Sequence, residues 1–277
     1  MNRRGFLAAG AATVAAACAS PRRELLDEYA GRDLALAPGG PRTTTTTIAT
    51  LEGESTTTSA PDLDGTPFEI PAEDIPGLAF VAEVRRQTIT AYADRELTQP
   101  IAEFTNPIAS GGPLVFLVDD FDGLARLRVL LPTRPNGSLG WIDAGAVELT
   151  RHNYEIRVDL EAYSLTVLQR DVPILETTVG VARENAPTPR GRYYTTELIR
   201  PLVPDSVYGA YAYGLSGFSE VFEQFNGGDG QLGIHGTNEP ATLGTNVSAG
   251  CIRLHNDDIT LLVEQIRLPV GVPVVIV

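Results

Sequence analysis

Apolar and polar residues alternate strictly from Tyr154, where Tyr154, Ile156, Val158 and Leu160 are interleaved with Glu155, Arg157 and Asp159. A period of two predicts a β-strand with one buried face. Tyr163, Leu165 and Val167 repeat the pattern after a turn, and Val172 to Val181 supplies a third apolar run. Tyr193 to Ile199 resumes a strand after Pro187-Thr188-Pro189-Arg190-Gly191, which must be a loop because its prolines fix φ and lack N–H donors. Tyr208 to Phe218 sets glycines and serines among aromatics, the pattern of a packed aromatic strand or of a groove wall. Near the C-terminus the period lengthens. Ile259, Leu262, Val263 and Ile266 fall on one face of a short helix that Asn256-Asp257-Asp258 is placed to cap and Pro269 ends, before a closing strand at Val272 to Val277.

Upstream, the pattern consists of shorter apolar bursts: Ala79 to Ala82, Thr88 to Tyr92, Leu114 to Val118, Ala125 to Leu131 and Gly140 to Ile142. Asn106-Pro107, Ser110 to Pro113, Asp122-Gly123 and Pro135-Asn136-Gly137 separate them. About five short strands with such punctuation predict a small β-barrel, with the single tryptophan, Trp141, in its core. Pro21 to Pro76 differs in kind, being rich in Thr, Pro, Gly and acids and low in aromatics. It has too little apolar surface to offset chain entropy and predicts a flexible linker. Met1 to Ser20 carries Arg3-Arg4 and an alanine-rich run to Ala17, the layout of an export signal too short to span a bilayer stably. The expected divisions are therefore an export signal at 1–18, a linker at 19–76, a barrel at 77–150 and a second β domain at 151–277.

Composition narrows the function classes. With 277 residues and 43% hydrophobic content the chain can build two ordinary cores. A formal charge of −14 excludes a nucleic-acid partner, since nothing here would neutralise a row of phosphates. Of the two cysteines, Cys18 lies in the leader, which leaves Cys251 as a free thiol. The three histidines, His152, His235 and His255, have no ligand spacing with cysteines, so neither a metal nor another cofactor is expected.

The candidate chemistry lies between Ile234 and Arg253, IHGTNEPATLGTNVSAGCIR. Gly236, Pro240, Gly244, Asn246, Ser248 and Gly250 let this backbone fold back on itself, so His235 and Cys251, sixteen positions apart, can meet. A thiol becomes a useful nucleophile when an imidazole takes its proton, and the chemistry implied is acyl transfer through a thioester. Gly250 lets backbone N–H groups turn toward a developing oxyanion, and Arg253 is placed to pair with a substrate carboxylate.

His235-Gly236-Thr237 followed by Ser248, Gly250-Cys251-Ile252-Arg253 resembles the signature of the L,D-transpeptidases, the YkuD-type enzymes that cross-link bacterial peptidoglycan. PTPRGRYYTTEL (Pro187 to Leu198) and YGLSGFSE (Tyr213 to Glu220) are also similar to that family, and the resemblance spans roughly Asn153 to Val277. It implies a mainly β chain with a YkuD-like β-sandwich catalytic domain and one short C-terminal helix. The roles implied are Cys251 as nucleophile, His235 as general base, Gly236 orienting the imidazole through its carbonyl, and Gly250 at the oxyanion hole. Thr237, Ser248, Arg253 and Tyr213 would meet the substrate, a peptidoglycan stem peptide. One departure stands out: members often carry a histidine two residues before the cysteine, and this chain has Ala249. The barrel resembles SH3-like modules that precede catalytic domains in wall enzymes. RRGFL resembles a twin-arginine signal and AAAC a lipobox, which would lipidate Cys18 and place a monomeric protein at the outer face of the cytoplasmic membrane or in the wall. The residues alone leave two alternatives open: a cysteine hydrolase that resolves the same acyl-enzyme with water, and a catalytically silent wall-binding lipoprotein.

Overall fold

The computed structural model describes residues 75–277 except 124, 204–205 and 225–227. The export signal, Cys18 and nearly all of the linker therefore lie outside the described residues. Two large, antiparallel-rich sheets dominate the described residues, with a short two-stranded sheet and a helical segment beside them. The first contains β1 (Ala79–Val84), β2 (Thr88–Tyr92), β3 (Pro100–Thr105), β4 (Val115–Asp122), β5 (Arg126–Leu130), β6 (Leu139–Asp143) and β7 (Val147–His152), in the order β3-β2-β6-β5-β4-β1-β7. Phe116, Val129 and Ile142 lie at the centre of its core. Seven strands replace the expected five, and the two additions are the edges, β3 and β7. An edge strand such as β3 exposes every second residue or more, so no apolar burst marks it. Trp141 is not a core residue. Alternation along β6 buries Gly140 and Ile142 and turns Trp141 outward, where the guanidinium of Arg128, its register partner, lies 5.8 Å from the ring centre.

The second sheet begins with β8 (Tyr154–Asp159), β9 (Ser164–Gln169) and β10 (Val172–Thr178). After the short β11 (Val181–Ala182) come β12 (Gly191–Ile199), β13 (Ala212–Phe218), β14 (Gln231–His235), β15 (Asn246–Ser248) and β16 (Ile252–Arg253). A helical segment, α1 (Asn256–Thr260) continued by a wider turn over Leu261–Gln265, precedes the last strand, β17 (Pro273–Ile276). The strand order is β10-β9-β8-β17-β12-β13-β14-β16, while β11 and β15 pair with each other. Ile259 and Leu262 of the helical segment are fully buried against the core. The helix cap differs from expectation by one residue: His255 is the N-cap, its ring accepting the Asp257 N–H. Asn256 is thereby released for another task.

The two sheets are packed on one another. Tyr194 of β12 is fully buried among Val81, Val115, Leu117 and Leu130 of the first sheet, and its hydroxyl donates to Val115 O at 3.1 Å. Burial alone pushes that phenol well above its usual range.

Candidate active site

The site is built where β14 and β16 run side by side. They pair in parallel, with Ile234 opposite Ile252 and His235 opposite Arg253. Register partners in a sheet share a face, so Arg253 falls on the face that His235 occupies, and Cys251 is the residue that leads into β16. Three backbone bonds hold this edge: Leu254 N–H to His235 O at 2.7 Å, and the reciprocal pair between Gly180 and Arg253 at 2.8 and 2.9 Å. Cys251 is half-buried.

His235 is 1% exposed. Its Nδ1 lies 2.6 Å from Gly236 O, a distance that requires the proton on Nδ1, because a carbonyl can only accept. In the neutral ring the lone pair is then on Nε2, which is buried and has no hydrogen-bond partner among the described residues. Burial pushes the imidazole down to about 4, the Gly236 carbonyl opposes that shift, and the nearby Arg253 guanidinium adds to it. At neutral pH His235 is an uncharged base with an open acceptor. The Tyr208 ring meets the imidazole edge-on at 5.0 Å and limits its rotation.

The other two histidines are committed elsewhere. His152 accepts the Tyr154 N–H on Nδ1 at 3.2 Å, so its Nε2–H donates to Gly271 O at 3.3 Å. His255 is exposed and caps the helix. No group of three or more His, Cys, Asp or Glu side chains among the described residues is placed to hold a metal ion.

Several residues expected to meet substrate do other work. Tyr213 is fully buried on β13, and its hydroxyl donates to Leu268 O at 2.8 Å, on the far side of the core from solvent. Thr237 is 1% exposed: its N–H donates to Asn256 Oδ1 and its hydroxyl accepts the Glu239 N–H. Ser248 is buried too, and its hydroxyl donates to Cys251 O at 2.6 Å while accepting the Gly250 N–H at 3.2 Å. The Gly250 N–H is thus spent inside the turn and does not face an oxyanion. Gly250 is needed there for another reason: its φ is +135° and a Cβ would lie 2.9 Å from Leu232 Cδ2. Arg253 fits the expected task better. Its side chain is 12% exposed, Nη1 reaches Glu239 at 3.3 Å, and its buried Nε has no partner among the described residues.

Asn256, expected only to cap the helix, and Tyr208, expected only as the start of an aromatic run, both bear on the site. Asn256 Oδ1 accepts both the Ala210 and the Thr237 N–H at 3.1 Å, tying the turn after Tyr208 to the segment after His235. The fit is close enough that a Cβ on Gly209 or Gly236 would collide with that oxygen. A cavity of about 220 Å³ lies between the two sheets, beside Phe104, Phe218 and Gln231. Gln231 begins β14 and His235 ends it, so this cavity is at the opposite end of the strand from the reacting groups.

Residues 153–276 match the family model described as the L,D-transpeptidase catalytic domain, YkuD. This stretch is similar to YkuD-type L,D-transpeptidase catalytic domains. The chain is 34% identical over 106 residues to the L,D-transpeptidase YkuD of Bacillus licheniformis, covering 38% of this chain and 56% of that protein. It is 37% identical over 117 residues to the L,D-transpeptidase YqjB of Bacillus subtilis, covering 41% and 57%. The chain therefore spans little more than half the length of these relatives. Among solved structures it resembles L,D-transpeptidase 3 of Mycobacterium tuberculosis, with a TM-score of 0.39, 13% identity and coverage of 59% of this chain and 91% of that one. The matched residues begin one ahead of β8 and include both β14 and β16, and so take in His235 and Cys251.

Proposed function

We propose that the protein is a peptidoglycan L,D-transpeptidase with Cys251 as nucleophile and His235 as its base. The Cys251 thiol gives its proton to His235 Nε2, and the sulfur attacks the carbonyl at the L-centre of a tetrapeptide stem. The tetrahedral intermediate collapses with cleavage of the C–N bond, and the departing D-alanine amine takes the proton from His235. An amine of a second stem then attacks the thioester, loses its proton to His235, and restores the thiol. Arg253, through the Nε that has no partner among the described residues, meets a carboxylate of the stem. Gly236 holds the imidazole in the tautomer this sequence needs, in the place a carboxylate occupies in other triads.

One observation carries the reading: a buried, neutral imidazole whose Nδ1 proton is committed to Gly236 O and whose Nε2 has no hydrogen-bond partner among the described residues, on the strand face it shares with Arg253 beside the turn that carries Cys251. The absence of a histidine at Ala249 is consistent with it, because His235 alone supplies a base. The twin-arginine leader and Cys18 support export and lipid attachment, with the first sheet acting as an SH3-like module that places the catalytic domain on the wall. Incubating the full chain with a tetrapeptide stem and weighing the products tests the activity. A cross-linked dimer with release of D-alanine is expected. Tripeptide acid alone would assign a hydrolase instead, and unchanged stem would overturn the enzymatic reading.

A further inference from the structure

The loop between β11 and β12 reaches the turn of the nucleophile through one side chain. Thr188 is 5% exposed, and its Oγ1 donates to Gly250 O at 2.9 Å, linking two points sixty-two residues apart. The bond matters because of the plane it grips. A trans peptide is rigid and flat, with its C=O and N–H pointing in opposite directions, so the direction of Gly250 C=O sets that of Cys251 N–H. Gly250 has no side chain to hold this plane and sits at a φ that other residues rarely adopt. Ser248 fixes the planes on either side, by accepting the Gly250 N–H and donating to Cys251 O. The plane between them, which carries the Cys251 N–H, is the one held by Thr188.

We propose that Thr188 is a positioning residue for acyl transfer: by holding Gly250 C=O it aims the Cys251 N–H at the oxyanion that forms when the thiolate adds to a carbonyl. This rests on the acyl-transfer reading above and names a residue that the reading does not need in order to stand. An aimed donor lowers the barrier only when negative charge develops on an oxygen, so its loss separates two reactions of the same thiol. Acylation of Cys251 by a carbapenem passes through an oxyanion. Alkylation by iodoacetamide is a direct displacement at carbon, with iodide leaving, and forms none.

The test measures both rates on the full chain and on Thr188→Val, which keeps the size of the side chain and removes its donor, and on Thr188→Ser, which keeps the donor. Thr188→Val is expected to slow the first-order acylation step by roughly tenfold to a hundredfold, with half-saturation by the carbapenem and alkylation each within about twofold of the parent. Thr188→Ser is expected to acylate at close to the parental rate. Parental acylation in Thr188→Val, an equal fall in both reactions, or failure of Thr188→Ser to acylate would overturn the proposal. A parent that is alkylated but never acylated would overturn the acyl-transfer reading, and this inference with it.

Discussion

His235 is kept uncharged by burial, and burial ties its charge to folding. Its imidazole is pushed down to about 4 in the folded chain, against about 6.5 when unfolded. Between those values the unfolded state binds a proton that the folded state does not, so stability falls as pH drops from about 6.5 to 4. His152 is likewise lowered to about 4 by burial and adds to the same slope. Melting temperature measured across that window is expected to decline, and His235→Gln is expected to flatten the decline; a slope unchanged in that variant would contradict the buried, neutral assignment. With His235 as the base, a pH profile of Cys251 acylation by a carbapenem is expected to fall off only near pH 4, below the range of a solvated imidazole. Asn256 acts beside it through one oxygen. Asn256→Ala leaves the Ala210 and Thr237 N–H groups without their acceptor and is expected to lower stability by about 2 kcal/mol in denaturant titration.

At the scale of elements, legibility followed burial. β8 was plain in the sequence because alternate residues pack on the core and β12 because its centre is buried on both faces, whereas β3 and β7 were not, since edge strands bury few side chains. The helix was foreseen from Ile259 and Leu262, but its cap was misplaced by one residue because His255 and Asn256 both carry a ring or amide acceptor able to cap. In the site, His235 and Cys251 stood out because their chemistry is rare in this chain. The duties of Ser248, Thr237 and Asn256 did not, because each depends on a hydrogen bond whose partner is set by how the turns fold. Tyr213 shows the limit most clearly: an aromatic among glycines reads as a packed strand or as a groove wall, and the resemblance put it at the substrate, yet its hydroxyl closes the core onto Leu268. Tyr213→Phe is therefore expected to lower stability by about 1 kcal/mol and leave half-saturation by a stem peptide within about twofold, whereas a large rise in half-saturation would return Tyr213 to the substrate.

Across the whole molecule, the first sheet does more than precede the second. Arg134 Nη2 donates to the carbonyls of Ser219, Phe222 and Asp229 at 3.2, 3.0 and 2.8 Å, and its guanidinium lies 4.7 Å from the Phe218 ring centre. Asn136 exchanges two bonds with Phe218, its amide donating to Phe218 O and accepting the Phe218 N–H, both at 2.8 Å. This clasp grips the connection from β13 to β14, the strand that ends in His235. With Tyr194 also locked into the first core, the two sheets are expected to unfold in one cooperative transition. Arg134→Ala combined with Asn136→Ala is expected to lower the melting temperature by several degrees; two separate transitions in the parent chain would contradict the coupling.

The central claim is that His235 alone activates Cys251. It is tested most directly by the rate at which Cys251 is acylated by a carbapenem at neutral pH, followed by intact mass, in the parent, Cys251→Ala, His235→Gln and His255→Gln. A single label on Cys251 is predicted in the parent, none in Cys251→Ala, a fall of roughly a hundredfold to ten-thousandfold in His235→Gln, and a rate within a few-fold of the parent in His255→Gln. If His235→Gln kept most of the rate, or if His255→Gln were the inactive variant, the pairing of Cys251 with His235 would be wrong.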